Sequence, residues 1–407
     1  MGSKIIQSLR GMNDIKDETG ELFTYFIENA SKIAIRYGYS YLETPILEET
    51  ALFKRSVGES SDIVGKEMYQ FIDKGKNDVC LRPEGTAGVV RSFIERKLDK
   101  KGEKQKFFYH GVMFRYERPQ KGRLRLFHQF GCESFGESSI LEDVSIILMV
   151  RDIFDALGIK FKIQINSLGC QNCMPQYRAK LILDLNSKLD SLCNDCNKRV
   201  EINPIRTLDC KSEKCQNELK DSPKITDNLC ENCNLDFEKL KNILTLNGVE
   251  FEVDTNLVRG LDYYSKTAFE FISDGIGSQN AIAGGGRYDK LVEFLDGKET
   301  HAVGFALGIE RILDLVQLPE KNIEGYYFGV LDEQDLNTLF NLASKKRISQ
   351  RVHIEYRKRN LKTHIKNALK MGYQYCAILG SDEVENGTVW VKDLQAKYEE
   401  VISQDSF

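Results

Sequence analysis

The chain has 407 residues, of which 41% are hydrophobic and 29% charged, with a formal net charge of −4. This length predicts two or three domains. The composition is typical of a globular protein, which excludes collagen, a coiled coil, a disordered tail and a secreted disulfide miniprotein. The longest dense apolar stretch, Ile146 to Val150, is far shorter than the roughly 18 residues of a membrane span, and the N-terminus lacks the apolar stretch of a secretory signal. We therefore expect a cytoplasmic protein with no membrane partner.

The first 165 residues mix helical and strand patterns. A helical period runs from about Leu22 to Tyr37, and Gly38 ends it. Short runs rich in aromatic and β-branched residues follow at Phe107 to Tyr109 and at Phe161 to Ile165, and these predict strands. The N-terminal part therefore combines helices with a sheet.

Between Phe114 and Glu133, two strand-like runs flank a loop that is rich in basic residues. Arginine forks match phosphate oxygens in pairs, so this loop suits a polyphosphate or an RNA backbone. Alternation places Arg115 and Glu117 on one face of the first strand. One face of the second strand carries Phe127, Gln129, Gly131 and Glu133. Buried charges are costly unless they are paired or bound to a ligand, so these faces indicate a binding site more than a structural core.

Three further segments combine glycine with charged residues: Leu81 to Gly88, Leu257 to Tyr264 and Ala283 to Asp289. In the first, Glu84 and Thr86 could grip an ammonium group, although an ordinary helix start is the alternative. The third contains three consecutive glycines, which permit close backbone approach to a ligand. Gly304 to Arg311 predicts a strand of small residues and a helix that ends on arginine. The chain has neither a P-loop nor a dinucleotide-binding fingerprint.

Eight of the eleven cysteines form four close pairs: Cys170/Cys173, Cys193/Cys196, Cys210/Cys215 and Cys230/Cys233. In a cytoplasmic chain, such pairs indicate metal ligands more readily than disulfides. The spacing Cys-x2-Cys-x19-Cys-x2-Cys of the first two pairs falls within the range of a four-thiolate zinc site, and the other four cysteines could form another. Free thiols are the alternative, and the sequence leaves the pairing open.

The last 80 or so residues predict a small α/β domain, because strands and helices alternate in them. The predicted order is strand (Tyr326 to Leu331), helix (Asp335 to Lys345), strand (His353 to Tyr356), helix (Leu361 to Met371) and strand (Tyr375 to Leu379). Between Lys345 and Lys370, six lysines and four arginines are opposed only by Glu355. A solvated helix face is the usual meaning of such a run, and an RNA-phosphate footprint is the alternative.

Taken together, these segments resemble the class II aminoacyl-tRNA synthetases, and specifically the histidyl-tRNA synthetase family, over nearly the whole chain. Arg259 to Tyr264 and Ala283 to Asp289 are similar to the two histidine-specific signatures of that family. Tyr41 to Phe53 resembles motif 1, Phe114 to Glu133 resembles motif 2 and Gly304 to Arg311 resembles motif 3. One departure is Lys290, which stands where the family usually has glycine.

The resemblance implies an α+β catalytic domain on an antiparallel sheet, with a mostly helical insertion and a C-terminal α/β anticodon-binding domain. We place the catalytic domain at residues 1–166 and 246–320, the cysteine-rich insertion at 167–245 and the anticodon-binding domain at 325–407. Cysteines are not general in the family's insertion, so the cysteine pairs are a second departure. The C-terminal sequence is less distinctive, but the resemblance favours the RNA footprint for its basic segment.

The resemblance also implies an activity and its partners. The family activates L-histidine with ATP, accompanied by Mg²⁺, and passes the histidyl group to histidine tRNA. Motif 1 builds a homodimer interface in the family. Structural Zn²⁺ is a further cofactor that we predict from the cysteines alone.

The residue roles that follow from the resemblance concern ATP, histidine and tRNA. For ATP, Arg115 would hold the α-phosphate, Arg123 and Arg311 the outer phosphates, Phe127 the adenine ring and Glu117 its amino group. Arg259 would act with Arg115 in catalysis, from the opposite side of the α-phosphate. The expected histidine site contains Glu84, Thr86, Gln129, Glu133, Arg259, Tyr263, Tyr264 and Tyr288, with Glu133 and Tyr264 on the imidazole nitrogens. Arg118 and Gln120 would contact the extra guanosine at the 5′ end of the tRNA.

Two other functions compete with this one. Catalytically inactive relatives of the family serve as regulatory subunits of ATP phosphoribosyltransferase, but they lose the arginines that this chain has at Arg115, Arg259 and Arg311. A zinc-dependent nucleic-acid binder would explain the cysteines and the basic segment. It would leave the Arg259 to Tyr264 segment unexplained.

Overall fold

Residues 5–58, 61, 63–261, 263–276, 280–318 and 323–407 are described by a computed structural model. The chain divides into two units, Met1–Gln317 with two sheets and Leu318–Phe407 with one sheet. The boundaries of the catalytic domain, the insertion and the anticodon-binding domain remain predictions. Asp262, within the Arg259 to Tyr264 segment, lies outside the described residues.

The first unit contains a large sheet, a small sheet and the helices around them. Its strands are β1 (Ser40–Tyr41), β2 (Leu47–Glu49), β3 (Tyr69–Ile72), β4 (Asp78–Leu81), β5 (Gln105–Phe114), β6 (Leu126–Phe135), β7 (Lys162–Ser167), β8 (Glu252–Val253), β9 (Ser265–Ile272), β10 (Ala281–Arg287) and β11 (Ala302–Gly308). Its helices are α1 (Asp17–Arg36), α2 (Thr50–Val57), α3 (Thr86–Glu95), α4 (Ile140–Ala156), α5 (Met174–Asn186), α6 (Asn194–Ile202), α7 (Glu213–Leu219), α8 (Glu231–Leu246), α9 (Leu291–Phe294) and α10 (Ile309–Leu313).

The large sheet has the strand order β1-β5-β6-β11-β10-β9-β7-β8. The outermost pairs, β1 with β5 and β7 with β8, are parallel, and the pairs between them are antiparallel. A second sheet, β2-β4-β3, is antiparallel. The predicted α+β fold on a mainly antiparallel sheet is therefore confirmed.

The core of this unit lies where α1, α4 and α8 pack on the large sheet. Phe26 and Ala30 of α1, Ile147 of α4 and Leu240 of α8 belong to one buried cluster with sheet residues such as Phe269. Helix α1 begins at Asp17, earlier than the predicted Leu22, because its first turn is acidic rather than apolar and so carries no hydrophobic period. Helix α8 thus joins the insertion's sequence to the core of the sheet.

A buried ion pair fixes β10 against α4. Arg287 and Asp143 are both fully buried and bound to each other. The guanidinium of Arg287 also donates to the carbonyl oxygens of Glu137 (2.9 Å) and Ser139 (3.1 Å). Because Arg287 is fully buried and its guanidinium group is bound by protein atoms, it has a structural role in the Ala283 to Asp289 segment.

One strand prediction is wrong. Arg115 and Glu117 do not share a strand face, because β5 ends at Phe114. The N–H of Tyr116 donates to the carbonyl of Glu67, outside the large sheet, and the N–H of Glu117 donates back to the carbonyl of Arg115. The chain therefore leaves the sheet at this point and enters the basic loop.

The second unit consists of β12 (Ile323–Val330), α11 (Leu336–Lys346), β13 (Arg351–Ile354), α12 (Leu361–Met371), β14 (Tyr373–Leu379), α13 (Ser381–Glu385), β15 (Thr388–Asp393) and β16 (Tyr398–Ser403). Its sheet has the order β13-β12-β14-β15-β16, with the first three strands parallel and the last two antiparallel. The five predicted elements are present, with boundaries shifted by up to three residues. The antiparallel hairpin β15–β16 was not predicted. Among the described helices of both units, none is long and apolar enough to cross a membrane.

Candidate active site

A cavity of about 250 Å³ lies against β6, β9, β10 and β11 of the large sheet. Many of the predicted site residues line it together: Glu84, Thr86, Arg115, Glu117, Arg123, Phe127, Gln129, Arg259, Tyr263, Tyr264 and Arg311. These residues come from four separate segments of the chain. The fold thus brings distant arginines, carboxylates and aromatic rings into one cleft.

Arg311 is held at one end of the cavity by backbone carbonyls. Its Nε donates to the carbonyl of Gly122 (2.9 Å) and its Nη1 to that of Ala281 (2.8 Å). Burial lowers the pKa of Arg311, and the nearby positive charges of Arg123 and Arg115 lower it further. Three guanidinium groups that repel one another in a cleft suit an anion with several charges.

Arg115 lies at the mouth of the basic loop. Its Nε donates to the carbonyl of Pro83 (2.9 Å), and its guanidinium carbon is 5.3 Å from the centre of the Phe127 ring. Glu117 forms an ion pair with Arg123 at 3.2 Å. The residues predicted for the adenine and the phosphates are therefore neighbours.

The Arg259 side chain lies over β9 and β10, where the absence of a side chain on Gly284 leaves room for its guanidinium group. It is paired with Glu270 of β9, which stands opposite Gly284 of β10. A Cβ on Gly284 would collide with the guanidinium nitrogens of Arg259, and one on Gly285 would collide with the carbonyl oxygen of Gly304. The glycine run was expected to admit a ligand. Gly284 lines the cavity and also makes room for the Arg259 side chain, while Gly285 makes room for a neighbouring strand, so the approach of a ligand to the glycine run stays a prediction.

Glu270 is a site residue that the sequence patterns did not single out. It lines the cavity, and as the one acidic residue among apolar neighbours in β9 it carried a weak signal. Burial is the largest single influence on the pKa of Arg259 and lowers it, but Glu270, Tyr264 and Tyr263 together raise it by more, so the net direction is upward. Among the described residues, the Nε of Arg259 has no hydrogen-bond partner, which leaves a buried donor for a ligand.

Glu133 lies just beneath the cavity rather than on its wall. Its carboxylate accepts hydrogen bonds from the hydroxyls of Thr86 (2.7 Å) and Tyr288 (2.5 Å). A Cβ on Gly304, opposite it on β11, would overlap its Oε2, so only glycine leaves room for this carboxylate. Burial raises the pKa of Glu133 to about 8. This group can therefore change its charge near neutral pH.

Tyrosine rings surround this carboxylate. Tyr263 lies 4.7 Å from Tyr264 and 5.7 Å from Tyr288, measured between ring centres. Among the described residues, the buried hydroxyl of Tyr263 has no hydrogen-bond partner. An aromatic wall with a spare hydroxyl suits a flat ligand with polar edges.

Tyr109 is a second residue that the sequence patterns did not assign to the site. Its hydroxyl lies 3.4 Å from Glu133 Oε1. A Cβ on Gly85 or on Gly131 would collide with the Tyr109 side chain. Gly131 stands opposite Tyr109 in the β5–β6 pair, and Gly85 lies directly before α3, so these contacts could not be recognised from the sequence of either segment alone.

Glu84 takes the helix-start role that was one of the two alternatives considered for it. Its carboxylate accepts from the N–H groups of Thr86 (2.7 Å) and Ala87 (2.9 Å), so it satisfies the first turn of α3. It also lines the cavity, together with Gln129, whose side-chain oxygen accepts from the N–H of Gly85 (3.2 Å). Burial raises the pKa of Glu84. Its role toward an ammonium group remains a prediction.

Arg118 and Gln120 lie in the basic loop, exposed and away from the cavity wall. The loop closes into a tight turn, because Gln120 and Arg123 exchange two backbone hydrogen bonds of 3.1 and 2.9 Å. In the second unit, the basic residues between Lys345 and Lys370 are also exposed, apart from the half-buried Lys346. Both regions are therefore accessible to a partner.

The eight paired cysteines form two groups. The outer group is Cys170, Cys173, Cys230 and Cys233, and the inner group is Cys193, Cys196, Cys210 and Cys215. Within each group, the sulfur atoms all lie within 4.8 Å of one another. The grouping suggested by the x19 spacing is wrong. Strands β7 and β8 are parallel neighbours, so α8 runs back along the sheet between them, and its first turn, with Cys230 and Cys233, lies beside Cys170 and Cys173 just after β7.

Comparison with known proteins settles the family. A family model described as histidyl-tRNA synthetase matches residues 11–312, and a model described as an anticodon-binding domain matches residues 339–407. The chain belongs to the histidyl-tRNA synthetase family. A relative from Sulfurimonas denitrificans, named histidine–tRNA ligase, is 62% identical over 99% of this chain and 100% of that protein.

Solved structures agree with this family. The apo histidyl-tRNA synthetase of S. aureus has a TM-score of 0.80 and 33% identity, covering 99% of this chain and 98% of that one. A Bacillus halodurans structure titled "ATP phosphoribosyltransferase regulatory subunit/histidyl-tRNA synthetase" has a TM-score of 0.66 at 20% identity, covering 93% and 98%, which shows the fold alone. The fold therefore does not separate a synthetase from a regulatory subunit. The family's named ligases at high identity favour the synthetase.

Proposed function

We propose that this chain ligates L-histidine to histidine tRNA through a histidyl-adenylate. In the first step, a histidine carboxylate oxygen attacks the α-phosphorus of ATP, and the bond to pyrophosphate breaks. In the second, a ribose hydroxyl of the terminal adenosine of the tRNA attacks the histidyl carbonyl, and AMP leaves. The observation that carries this function is the convergence of Arg115, Arg123 and Arg311 in one cleft beside the Glu133 pocket, in a chain of this family.

The arginines supply fixed positive charge in this mechanism. Arg115 and Arg259 stabilise the charge that develops on the α-phosphate, while Arg123 and Arg311 hold the outer phosphates. Backbone carbonyls hold Arg311, and Glu270 holds Arg259, so their guanidinium groups are oriented before the substrate arrives. Preoriented charge of this kind is usually the largest contribution to catalysis. Phe127 stacks on the adenine ring, and Glu117 accepts from its amino group.

Histidine selectivity comes from the pocket around Glu133. Glu84, Thr86 and Gln129 hold the ammonium group, and Glu133 with Tyr264 binds the two imidazole nitrogens. Tyr263 and Tyr288 complete the wall, and Tyr288 fixes the Glu133 carboxylate. A pocket whose buried polar groups need both ring nitrogens rejects analogues that lack one, because the analogue leaves those groups unpaired.

The family uses ATP with Mg²⁺, and the cleft has ligands of the right kind. Mg²⁺ prefers one or two carboxylates together with substrate phosphates. Glu310 lines the cavity and is held by the backbone N–H of His128 at 2.9 and 3.0 Å. When bound there, the ion would neutralise negative charge on the phosphates.

Histidine tRNA is the proposed macromolecular partner. Arg118 and Gln120 would meet its 5′ end, and the exposed basic segment of the second unit would meet the anticodon region. A homodimer is proposed through the motif 1 segment, where Tyr41, Ile46 and Leu47 expose 43–48% of their surface. Exposed apolar residues in one segment are typical of a protein interface. A cytoplasmic location accompanies this function.

Zinc is proposed as a structural constituent of the insertion. Two groups of four cysteines supply two complete sets of tetrahedral thiolate ligands. Chains without zinc would carry four thiols in each group instead.

The function is tested by histidine-dependent exchange of pyrophosphate into ATP, followed by charging of histidine tRNA. We expect exchange with histidine and none with the other amino acids, and charging of histidine tRNA alone. A chain that binds ATP and histidine but catalyses neither reaction would contradict the proposal and favour a regulatory role.

The affinity for histidine is expected to depend on pH through Glu133. Its pKa of about 8 means that below this pH the carboxyl is mostly protonated, and above it the carboxylate can accept an imidazole N–H with full charge. The KM for histidine should therefore fall as pH rises from about 7 to 8.5, a range in which free imidazole is neutral. The measurement is pyrophosphate exchange at several pH values. A KM that rises over this range would refute the protonation of Glu133 near neutral pH.

A further inference from the structure

The outer cysteine group has the dimensions of a zinc site. Its Cys170 Sγ lies 3.8 Å from Cys173 Sγ and 3.9 Å from Cys230 Sγ. Zn–S bonds of about 2.3 Å in a tetrahedron separate the sulfurs by about 3.8 Å, whereas a disulfide requires about 2.05 Å. The inner group is similar, with 3.9 Å between Cys193 Sγ and Cys210 Sγ.

Backbone N–H groups point at the sulfur atoms in both groups. Cys230 N donates to Cys173 Sγ (3.1 Å), and Asn172 N donates to Cys170 Sγ (3.4 Å). In the inner group, Cys193 N donates to Cys215 Sγ (3.2 Å). Such donors stabilise negative thiolates and orient them toward a metal.

The outer group is tied to the catalytic sheet by the residues just before it. Leu168 N donates to the carbonyl of Lys266 (2.6 Å), and Lys266 N donates to the carbonyl of Gly169 (2.7 Å). Gly169 has a positive φ of 68°, and a Cβ there would lie 2.8 Å from the Cβ of Cys173. The first outer cysteines are thus joined through two backbone bonds to the start of β9.

The segment that carries Arg259 packs between the insertion and the cavity. Val258, directly before Arg259, is buried in the hydrophobic cluster of the insertion, and Tyr264 packs against the same cluster. Lys266 follows Tyr264 by two residues and pairs with Asp236 of α8 at 3.6 Å. The insertion therefore forms the support behind Arg259 and Tyr264.

We propose that the outer group binds one zinc ion that clamps the two ends of the insertion together and thereby positions Arg259 and Tyr264, whereas the inner group binds a second zinc ion within the hydrophobic cluster of the insertion. This inference rests on the proposed function, because it gives the outer cysteines a positioning role in that reaction. The outer cysteines stand at the starts of α5 and α8, and Leu240 of α8 lies in the core of the sheet. Loss of the outer zinc ion would therefore loosen both the backbone bonds between residues 168–169 and Lys266 and the start of α8, which pairs with Lys266.

The test compares two matched double variants of the full chain, Cys170→Ser with Cys230→Ser and Cys196→Ser with Cys215→Ser. Elemental analysis should find about two zinc ions in the wild type and about one in each variant. Hydrogen exchange should show loss of protection at the amides of Leu168 and Lys266 in the outer variant only. Pyrophosphate exchange should fall about 100-fold in the outer variant, the scale of a 1 Å misplacement of a catalytic group, and by a smaller factor in the inner variant, because Cys196 and Cys215 belong to the cluster on which Val258 packs.

Two further measurements keep the inference testable if the outer variant does not fold. Cys170→His retains a zinc ligand, so it should keep both ions and the exchange activity. In the wild type, zinc can be removed gradually with a chelator. Hydrogen exchange at the amides of Leu168 and Lys266 should then increase in one step, which coincides with the loss of one of the two ions.

The possible failures are distinct. A content of less than half a zinc ion per wild-type chain would refute zinc binding but would not contradict the synthetase function. An outer variant that binds one ion and keeps wild-type exchange and amide protection would refute the positioning role of the outer zinc ion but not zinc binding itself. A wild type that binds two ions but lacks exchange would contradict the proposed function itself.

Discussion

Replacing Arg259 with alanine is expected to lower adenylate formation by about 100-fold or more while the fold and histidine binding are kept. This is the scale of removing one preoriented group that stabilises transition-state charge. Arg259 lies in the cleft with Arg115 and Arg311, and its only ion-pair partner in the described residues is Glu270. The measurement is the rate of histidine-dependent pyrophosphate exchange, with histidine binding followed separately by calorimetry.

The control for this variant is Arg36→Ala, which removes an exposed arginine at the end of α1 and should leave exchange unchanged. Melting temperatures of both variants show whether the fold survives. Exchange near the wild-type rate in Arg259→Ala would refute the catalytic role of this side chain.

Replacing Glu133 with glutamine is expected to raise the KM for histidine by about 10-fold at pH 8.5, where the wild-type carboxyl is mostly ionised, because a hydrogen bond to a charged acceptor is stronger than one to a neutral amide by about 1–1.5 kcal/mol. Glutamine has nearly the same shape, and the hydroxyls of Thr86 and Tyr288 can rotate to suit an amide, so the fold should persist. The amide cannot ionise, so the dependence of KM on pH should disappear in this variant. Exchange kinetics with histidine and with histidine analogues measure both effects.

Glu95→Gln serves as the matched control, because Glu95 is exposed on α3 and pairs only with Arg91 among the described residues. It should retain the wild-type KM and its pH dependence. If Glu133→Gln discriminates between histidine and its analogues as well as the wild type does, the imidazole is bound elsewhere.

The fold and the family could be predicted from the sequence because both depend on short segments with strong local patterns. Arg259 to Tyr264 and Ala283 to Asp289 identify the family as strings of residues, before any contact is known. The strand and the helix of Gly304 to Arg311 can likewise be predicted from the composition of this segment alone. Most residues predicted for the site line one cavity, although their individual roles remain proposals.

What could not be predicted depends on contacts between distant strands. Glu270 of β9 and Gly284 of β10 stand opposite each other, and Arg259 contacts both of them. The sequence of neither strand alone predicts this register. Tyr109 reaches Glu133 for the same kind of reason. The grouping of the cysteines follows from the return of α8 between the parallel strands β7 and β8, which spacing along the chain does not reveal.

The order of strands in the large sheet has a consequence for synthesis on the ribosome. Strand β6 pairs with β11, which is completed only at Gly308, about 170 residues after β6 ends at Phe135. At about 5–20 residues per second, the nascent chain carries an unpaired β6 edge for roughly 10 to 35 seconds. An open edge can template aggregation, so slowing translation beyond Phe135 should increase the demand for chaperones.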